Sequence, residues 1–325
     1  MTAARARCVA ALLLALLPLA APAARPHFDA HRPPAAQPPG EAVAVSAARV
    51  QHFVLDGPNG HRYRIQVAAL GTPPAAGYPV LYLLDGNAAM AALTAAHAAP
   101  PLRAGVLLVA VGYDTDAYFD TDARSLDYTP PLPDGRPAFD PRVPGRRGGG
   151  AEAFLDFLQQ RLQPRIARAW PVDAHRQGIW GHSYGALLAL HALYTRPGLF
   201  RFYAAASPAL WWHAPLMADE ASRFVANHRA IDACVLLMAG SGERGPKAAE
   251  PAPALARQLR AVPGLQVTWR SFPGLRHGQV FSASLGPAIR RFAAGCPAPR
   301  VPGGSHVAAV PVGVPGRTPI VRPAT

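Results

Sequence analysis

The chain has 325 residues, half of them apolar, with 37 prolines and 29 glycines that follow no collagen period. That length suits one large globular domain or two small ones and excludes a fibrous class. The formal charge of +13 rests on 32 basic residues, of which only Lys247 is a lysine. No basic stripe with interleaved aromatics, zinc-ligand spacing or helix-turn-helix pattern goes with it, so nucleic acid is not an expected partner.

At the N-terminus, Arg5 and Arg7 precede an apolar run at residues 9–19, and Ala21, Pro22 and Ala23 follow it. Residues 1–23 have the form of a secretory signal peptide. The run is shorter than the ~20 residues of a spanning helix, which sets an uncleaved anchor second. Cys8 lies before the run, the wrong place for a lipidated cysteine. A periplasmic or secreted protein is therefore expected, with no stable membrane span after cleavage. Removing Arg5 and Arg7 leaves a charge of +11 and two cysteines, Cys234 and Cys296. One disulfide or two separate buried thiols both fit that pair.

Residues 24–44 are proline-rich and suit a linker, and residues 297–325 suit a disordered Pro/Gly-rich tail. Residues 45–296 form the expected domain. Strands are expected at 47–55, 61–70, 79–84 and 105–113, with an alanine-rich helix at 88–98. After a long polar loop comes a helix starting near Gly150, in which Phe154, Phe157, Leu158 and Leu162 share a face. Further strands follow at 177–180, 202–207, 234–240 and 265–272, and helices at 186–194, 249–261 and 281–294. Short apolar strands alternating with helices predict an α/β fold, a mainly parallel central sheet with helices on both faces. Ligands then lie beyond the C-terminal ends of the strands.

That rule selects the chemistry. Gly181-His182-Ser183-Tyr184-Gly185 is a G-x-S-x-G pattern between strand 177–180 and the following helix, the context of a nucleophile elbow. Ser183 is the candidate nucleophile. Serine needs a base, and in the order Ser, acid, His that base lies late in the chain. His277, after the last strand, fits better than His228, ahead of its strand, or His306, in the tail. For the acid, Glu243 lies just past the exit of strand 234–240, whereas Asp232 lies at its entrance. A solvated Glu243 with a Ser-His dyad stays open. The oxyanion donors are expected to be the backbone N–H groups of Tyr184 and Asn87, the latter in the loop Leu84-Asp85-Gly86-Asn87. Asp85 suits a turn former or helix N-cap. Asp114, Asp116, Asp120, Asp122 and Asp127 crowd one loop that lacks the glycine and terminal glutamate of an EF-hand, so a solvated loop is expected, not a metal site. Trp211 and Trp212 suit either substrate stacking or core packing.

YPVLYLLDGN at 78–87, RSLDYTP at 124–130, GAEAFLDFL at 150–158, GHSYGALLALHAL at 181–193, RPGLFRFYAAASPALWW at 196–212 and RHG at 276–278 resemble the esterase D-like branch of the α/β-hydrolases. That branch includes S-formylglutathione hydrolase, mycolyltransferases and siderophore esterases, and the resemblance spans roughly residues 45–295. The motifs LDGN, R-x-L-D-Y-T-P and SPALWW look most like periplasmic esterases of enterobactin-type trilactone siderophores. The resemblance implies that Arg124 binds the anionic catecholate part of a small-molecule ester and that no cofactor is needed. Two positions depart from the pattern: Ala186 replaces a second glycine after the elbow, and Gly242-Glu243-Arg244-Gly245 replaces an acidic G-E-x-E segment. Some siderophore esterases are described as Ser-His dyads, so the second departure leaves activity possible without Glu243. The rivals are a general carboxylesterase or acyltransferase of the branch and a noncatalytic envelope binding protein on a hydrolase scaffold.

Overall fold

A computed structural model of the chain describes residues 29–96, 102, 105–228, 230–244 and 251–296. The expected signal peptide and C-terminal tail lie outside the described residues. The strands are β1 (Gln51–Asp56), β2 (Arg62–Leu70), β3 (Tyr78–Leu84), β4 (Val106–Tyr113), β5 (Ala138–Phe139), β6 (Arg147–Gly148), β7 (Val172–His182), β8 (Phe202–Ala206), β9 (Ala233–Gly240) and β10 (Leu265–Phe272). Eight of them make one sheet in the order β1-β2-β4-β3-β7-β8-β9-β10, while β5 and β6 form a separate ribbon. β1 and β2 pair antiparallel, as do β2 and β4, and every other pairing in the sheet is parallel. This is the α/β-hydrolase arrangement.

Strand composition follows position. β3, β4 and β9 are buried along their whole length and consist of nearly unbroken apolar runs, as strands covered on both faces require. The edge strand β1 alternates between exposed and half-buried residues. The helices are α1 (Gly86–Thr94), α2 (Thr121–Tyr128), α3 (Ala151–Phe157), α4 (Gln163–Ala169), α5 (Tyr184–Thr195), α6 (Ala214–Asn227), α7 (Pro251–Leu259) and α8 (His277–Ala293). α1 and α8 pack on one face of the sheet, and α2, α3, α5, α6 and α7 on the other. All but the last residue of α5 are buried, so this helix is apolar almost all round.

Several boundaries differ from expectation. β7 begins at Val172, ahead of the short apolar run at 177–180, because its first half is a polar extension. Pro164 does not end the helix that starts at Ala151. A π-helical turn at Leu158–Leu162 leads into α4, where Pro164 occupies the first turn and needs no N–H partner. α8 begins four residues early, at His277. The described part of the expected linker is packed: Gln37 Nε2 donates to Val43 O (2.9 Å) and Ala92 O (3.1 Å), and Val43 and Val45 are buried beside α1. Proline content there reflects an extended strap across the domain, held further by Arg290 on Ala42 O at 2.7 Å.

Two long-range ties stand out. Cys234 on β9 and Cys296 after α8 form a disulfide with Cα atoms 5.9 Å apart and a sequence separation of 62 residues. In the chain-entropy view a loop of that length stabilises the fold by about 4 kcal/mol. The other tie is His191 of α5, which lies between Glu220 of α6 (Nδ1–Oε2 2.9 Å) and Glu152 of α3 (Nε2–Oε1 2.8 Å). Burial opposes its charge, but the two carboxylates outweigh burial and raise its pKa to about 9.

Replacing Cys296 with serine is expected to lower stability by about 2–4 kcal/mol in denaturant titration. The same loss should follow reduction of the wild type. For His191, the imidazolium contribution is complete below an unfolded pKa near 6.5 and disappears as pH rises through about 9. Stability should therefore fall by on the order of 3 kcal/mol between about pH 6 and pH 10. His191→Gln should remove most of that slope.

Candidate active site

At the end of β7 the chain turns at Ser183 with φ 58° and ψ −113°, a conformation that L-residues avoid, and enters α5 at once. Tight packing of strand against helix forces this turn: a Cβ at Gly181 would run into the backbone of Gly185 and Ala186. Hydrogen bonds hold it from both sides. Ser183 N–H donates to Ala206 O (2.9 Å), and Ser183 O accepts from Leu187 N–H (3.0 Å) and Ala209 N–H (3.2 Å).

Ser183, His277 and Glu243, chosen from three separate parts of the sequence, meet in one hydrogen-bonded chain. His277 Nε2 is 3.0 Å from Ser183 Oγ, and His277 Nδ1 is 3.0 Å from Glu243 Oε2. With Nδ1–H donating to the carboxylate, Nε2 is left to accept the serine proton. The other oxygen of Glu243 accepts from Ser207 Oγ (2.5 Å) and from Gly240 N–H (2.8 Å). Burial alone would raise the Glu243 pKa, but the bonds from His277, Ser207 and Gly240 prevail and hold it below the ordinary carboxylate range. His182 adds a further restraint, since its Nε2 donates to the backbone oxygen of His277 at 2.9 Å.

Ser207 and His182 were not singled out in the sequence. Ser207 carried a signal, because it stands at the C-terminal end of β8, the edge of the sheet where the site was expected. It adopts φ 47° there, and its N–H donates to Met238 O at 2.7 Å.

Tyr184 and Asn87 occupy the first and second positions of α5 and α1, where backbone N–H groups have no intrahelical acceptor. The two helix starts are adjacent: a Cβ on Gly185 would lie 3.3 Å from Leu84 Cβ. The Asn87 side chain fastens the next loop by donating to Tyr113 O, Thr115 O and Ala117 O at 3.0–3.2 Å. Gly112 permits this approach, since a Cβ there would sit 2.7 Å from Asn87 N.

Arg124 was expected to meet a substrate anion. Its Nε and one terminal nitrogen grip Asp85 at 2.7 and 2.8 Å, and that terminal nitrogen also reaches His182 O at 3.3 Å. The arginine side chain is 12% exposed and the Asp85 side chain is fully buried. Asp85 stands at the N-cap of α1 in a left-handed conformation, but its side chain makes no cap bond because both oxygens are on Arg124. The pair thus joins the β3–α1 turn to the strand end beneath Ser183. α2, which carries Arg124, is itself anchored through Asp127, a buried carboxylate that accepts from Tyr63, Tyr113, Asn59 and His61 at 2.7–3.0 Å.

Three of the other loop carboxylates are also committed, while Asp116 is exposed. Asp120 caps α2 through Ala123 N–H, Asp122 pairs with Arg146, and Asp114 pairs with Arg62 and Arg64. Among the described residues no group of three His, Cys, Asp or Glu side chains is disposed to hold a metal ion. Trp212 is fully buried core, whereas Trp211 is half-buried between Tyr184 (ring centroids 5.6 Å apart) and Arg142, which stacks on it at 3.2 Å.

The family described as "Putative esterase" matches residues 60–291, a span that includes the elbow, Glu243 and His277. The chain belongs to this esterase family. It is 32% identical over 278 residues to the Apo-salmochelin esterase of Escherichia coli O6:H1, a match covering 79% of this chain and 84% of that protein. It is likewise 32% identical over 270 residues to the Ferri-bacillibactin esterase BesA of Bacillus subtilis, covering 78% and 89%. Among solved structures, the BES protein from Bacillus cereus superposes with a TM-score of 0.65 at 27% identity, over 75% of this chain and 96% of that one.

In this esterase a buried ion pair links the two turns, so breaking it leaves an uncompensated charge beneath the site. Arg124→Gln should cost about 3–5 kcal/mol of stability. A loss below about 1 kcal/mol, the worth of an exposed pair, would contradict the structural role.

Proposed function

We propose that the chain is an exported serine esterase that hydrolyses a trilactone siderophore of the enterobactin type through an acyl-enzyme. The observation that carries this reading is the continuous hydrogen-bonded chain Glu243–His277–Ser183 at the mouth of a strained elbow. His277 Nε2 takes the proton as Ser183 Oγ bonds to the ester carbonyl carbon. The charge that develops on the carbonyl oxygen is met by the Tyr184 and Asn87 N–H groups, which are fixed before the reaction and need no reorganisation. The imidazolium, steadied by Glu243, then passes its proton to the departing alcohol. Water repeats the cycle in reverse roles, losing a proton to His277 as it attacks the acyl-serine, and acid and free enzyme result.

The substrate reading is supported by the relatives, whose names specify salmochelin and bacillibactin. Export is supported by the apolar run at residues 9–19 and by the Cys234–Cys296 disulfide, which belongs to an oxidising compartment. Among the described residues no helix is long and apolar enough to cross a membrane.

Iron-free and ferric trilactones incubated with the protein and followed by liquid chromatography test the substrate. Linearised product in either form is expected. Intact lactone beside rapid cleavage of simple aryl esters would favour the general esterase instead. Ser183→Ala should abolish both activities. Glu243→Gln separates triad from dyad: a fall in kcat of about 10³–10⁴-fold is expected if the carboxylate holds the tautomer and stabilises the imidazolium. A fall of less than about tenfold would mean that Ser183 and His277 suffice.

A further inference from the structure

We propose that Arg244 and Arg276 form an anion-binding subsite beside His277, which takes one anionic arm, carboxylate or catecholate, of the ester substrate. The proposal rests on the esterase reading and extends it to a recognition element on the His277 side of the site.

A cavity of about 270 Å³ is lined by Gly242, Glu243, Arg244, Arg276 and His277. It therefore shares a wall with the imidazole whose Nε2 meets Ser183 Oγ. Drug-sized ligands occupy roughly 300–1,000 Å³, so this volume suits one ring or short acidic arm and not a whole macrocycle. The one carboxylate in the lining forms no ion pair with either arginine, so the two guanidinium charges exceed its single negative charge. Glu243 is buried, and its two oxygens are occupied by His277, Ser207 and Gly240.

Arg244 and Arg276 are both exposed, and among the described residues neither makes an ion pair. Two arginines elsewhere around the elbow are spent on protein carboxylates, Arg124 on Asp85 and Arg146 on Asp122 and Asp140, and Arg142 stacks on Trp211. Arg276 also immediately precedes the 17-residue helix α8, whose N-terminal end adds positive potential to the same spot. Two arginines line one small cavity, and guanidinium forks match the paired oxygens of a carboxylate or catecholate. Charge focused there holds the remote part of a substrate while the ester carbonyl meets Ser183.

The test compares kcat/KM for an anionic ester, 4-nitrophenyl hydrogen glutarate, with that for neutral 4-nitrophenyl butyrate. In Arg244→Ala/Arg276→Ala the anionic-to-neutral ratio is expected to fall about tenfold, and in Arg244→Lys/Arg276→Lys to fall less. A ratio within about twofold of wild type, including an equal loss on both esters, overturns the subsite. Calorimetric titration of 2,3-dihydroxy-N-benzoylglycine into Ser183→Ala protein, with and without the alanine pair, decides the same question without turnover. Affinity about tenfold weaker in the triple variant supports the subsite, and equal affinity overturns it. Absence of turnover of both esters by wild type would count against the esterase reading alone, because the titration still decides the subsite.

Discussion

Everything at the site depends on one forced turn. β7 must end and α5 begin within a single residue so that the buried helix can lie on the sheet, and Ser183 absorbs the change at φ 58°. Strain of this kind costs on the order of 1–3 kcal/mol and survives only where its surroundings over-determine it. Here they do. The absence of a Cβ at Gly181, the bonds from Ser183 to Ala206, Leu187 and Ala209, and the Arg124 contact to His182 O all fix the same few atoms. The serine oxygen is left at the one edge of the sheet where loops from β9 and β10 can reach it.

What the sequence disclosed follows from how local each signal is. Ser183 lies in a contiguous five-residue pattern whose glycines have a steric reason, and His277 and Glu243 lie on loops that leave the correct ends of their strands. Position along an alternating chain was enough to nominate them, because parallel strands send all their exit loops to one edge. The partner of Arg124 was not legible. Asp85 is 39 residues away, and no periodicity links a turn after β3 with the first half of α2. The resemblance marks Arg124 only for a substrate anion, whereas burial of Asp85 also demands a cation beside it. Residues 29–44 misled in a similar way: proline-rich composition signals the lack of helix or strand, but says nothing about whether an extended strap is packed.

Charge illustrates the same distinction. The formal charge of +13 is not one uniform field, because some arginines around the elbow are bound to carboxylates, Arg124 to Asp85 and Arg146 to Asp122 and Asp140. The paired ones act as internal struts. Net charge belongs to recognition only where guanidinium groups remain open to a ligand, the condition on which the proposed subsite on the loops bearing Glu243 and His277 rests. Those loops also carry the hydrogen bonds that orient the imidazole, so binding and proton transfer share the same supports.

The central claim is that this geometry makes Ser183 a nucleophile. Covalent labelling with a fluorophosphonate probe, followed by peptide mapping, tests it directly on the intact protein. The account predicts one adduct per chain, on the peptide containing Ser183, and its loss in His277→Ala while the fold is retained. Folded wild-type protein that takes no label, or takes it at a different serine, would contradict the account.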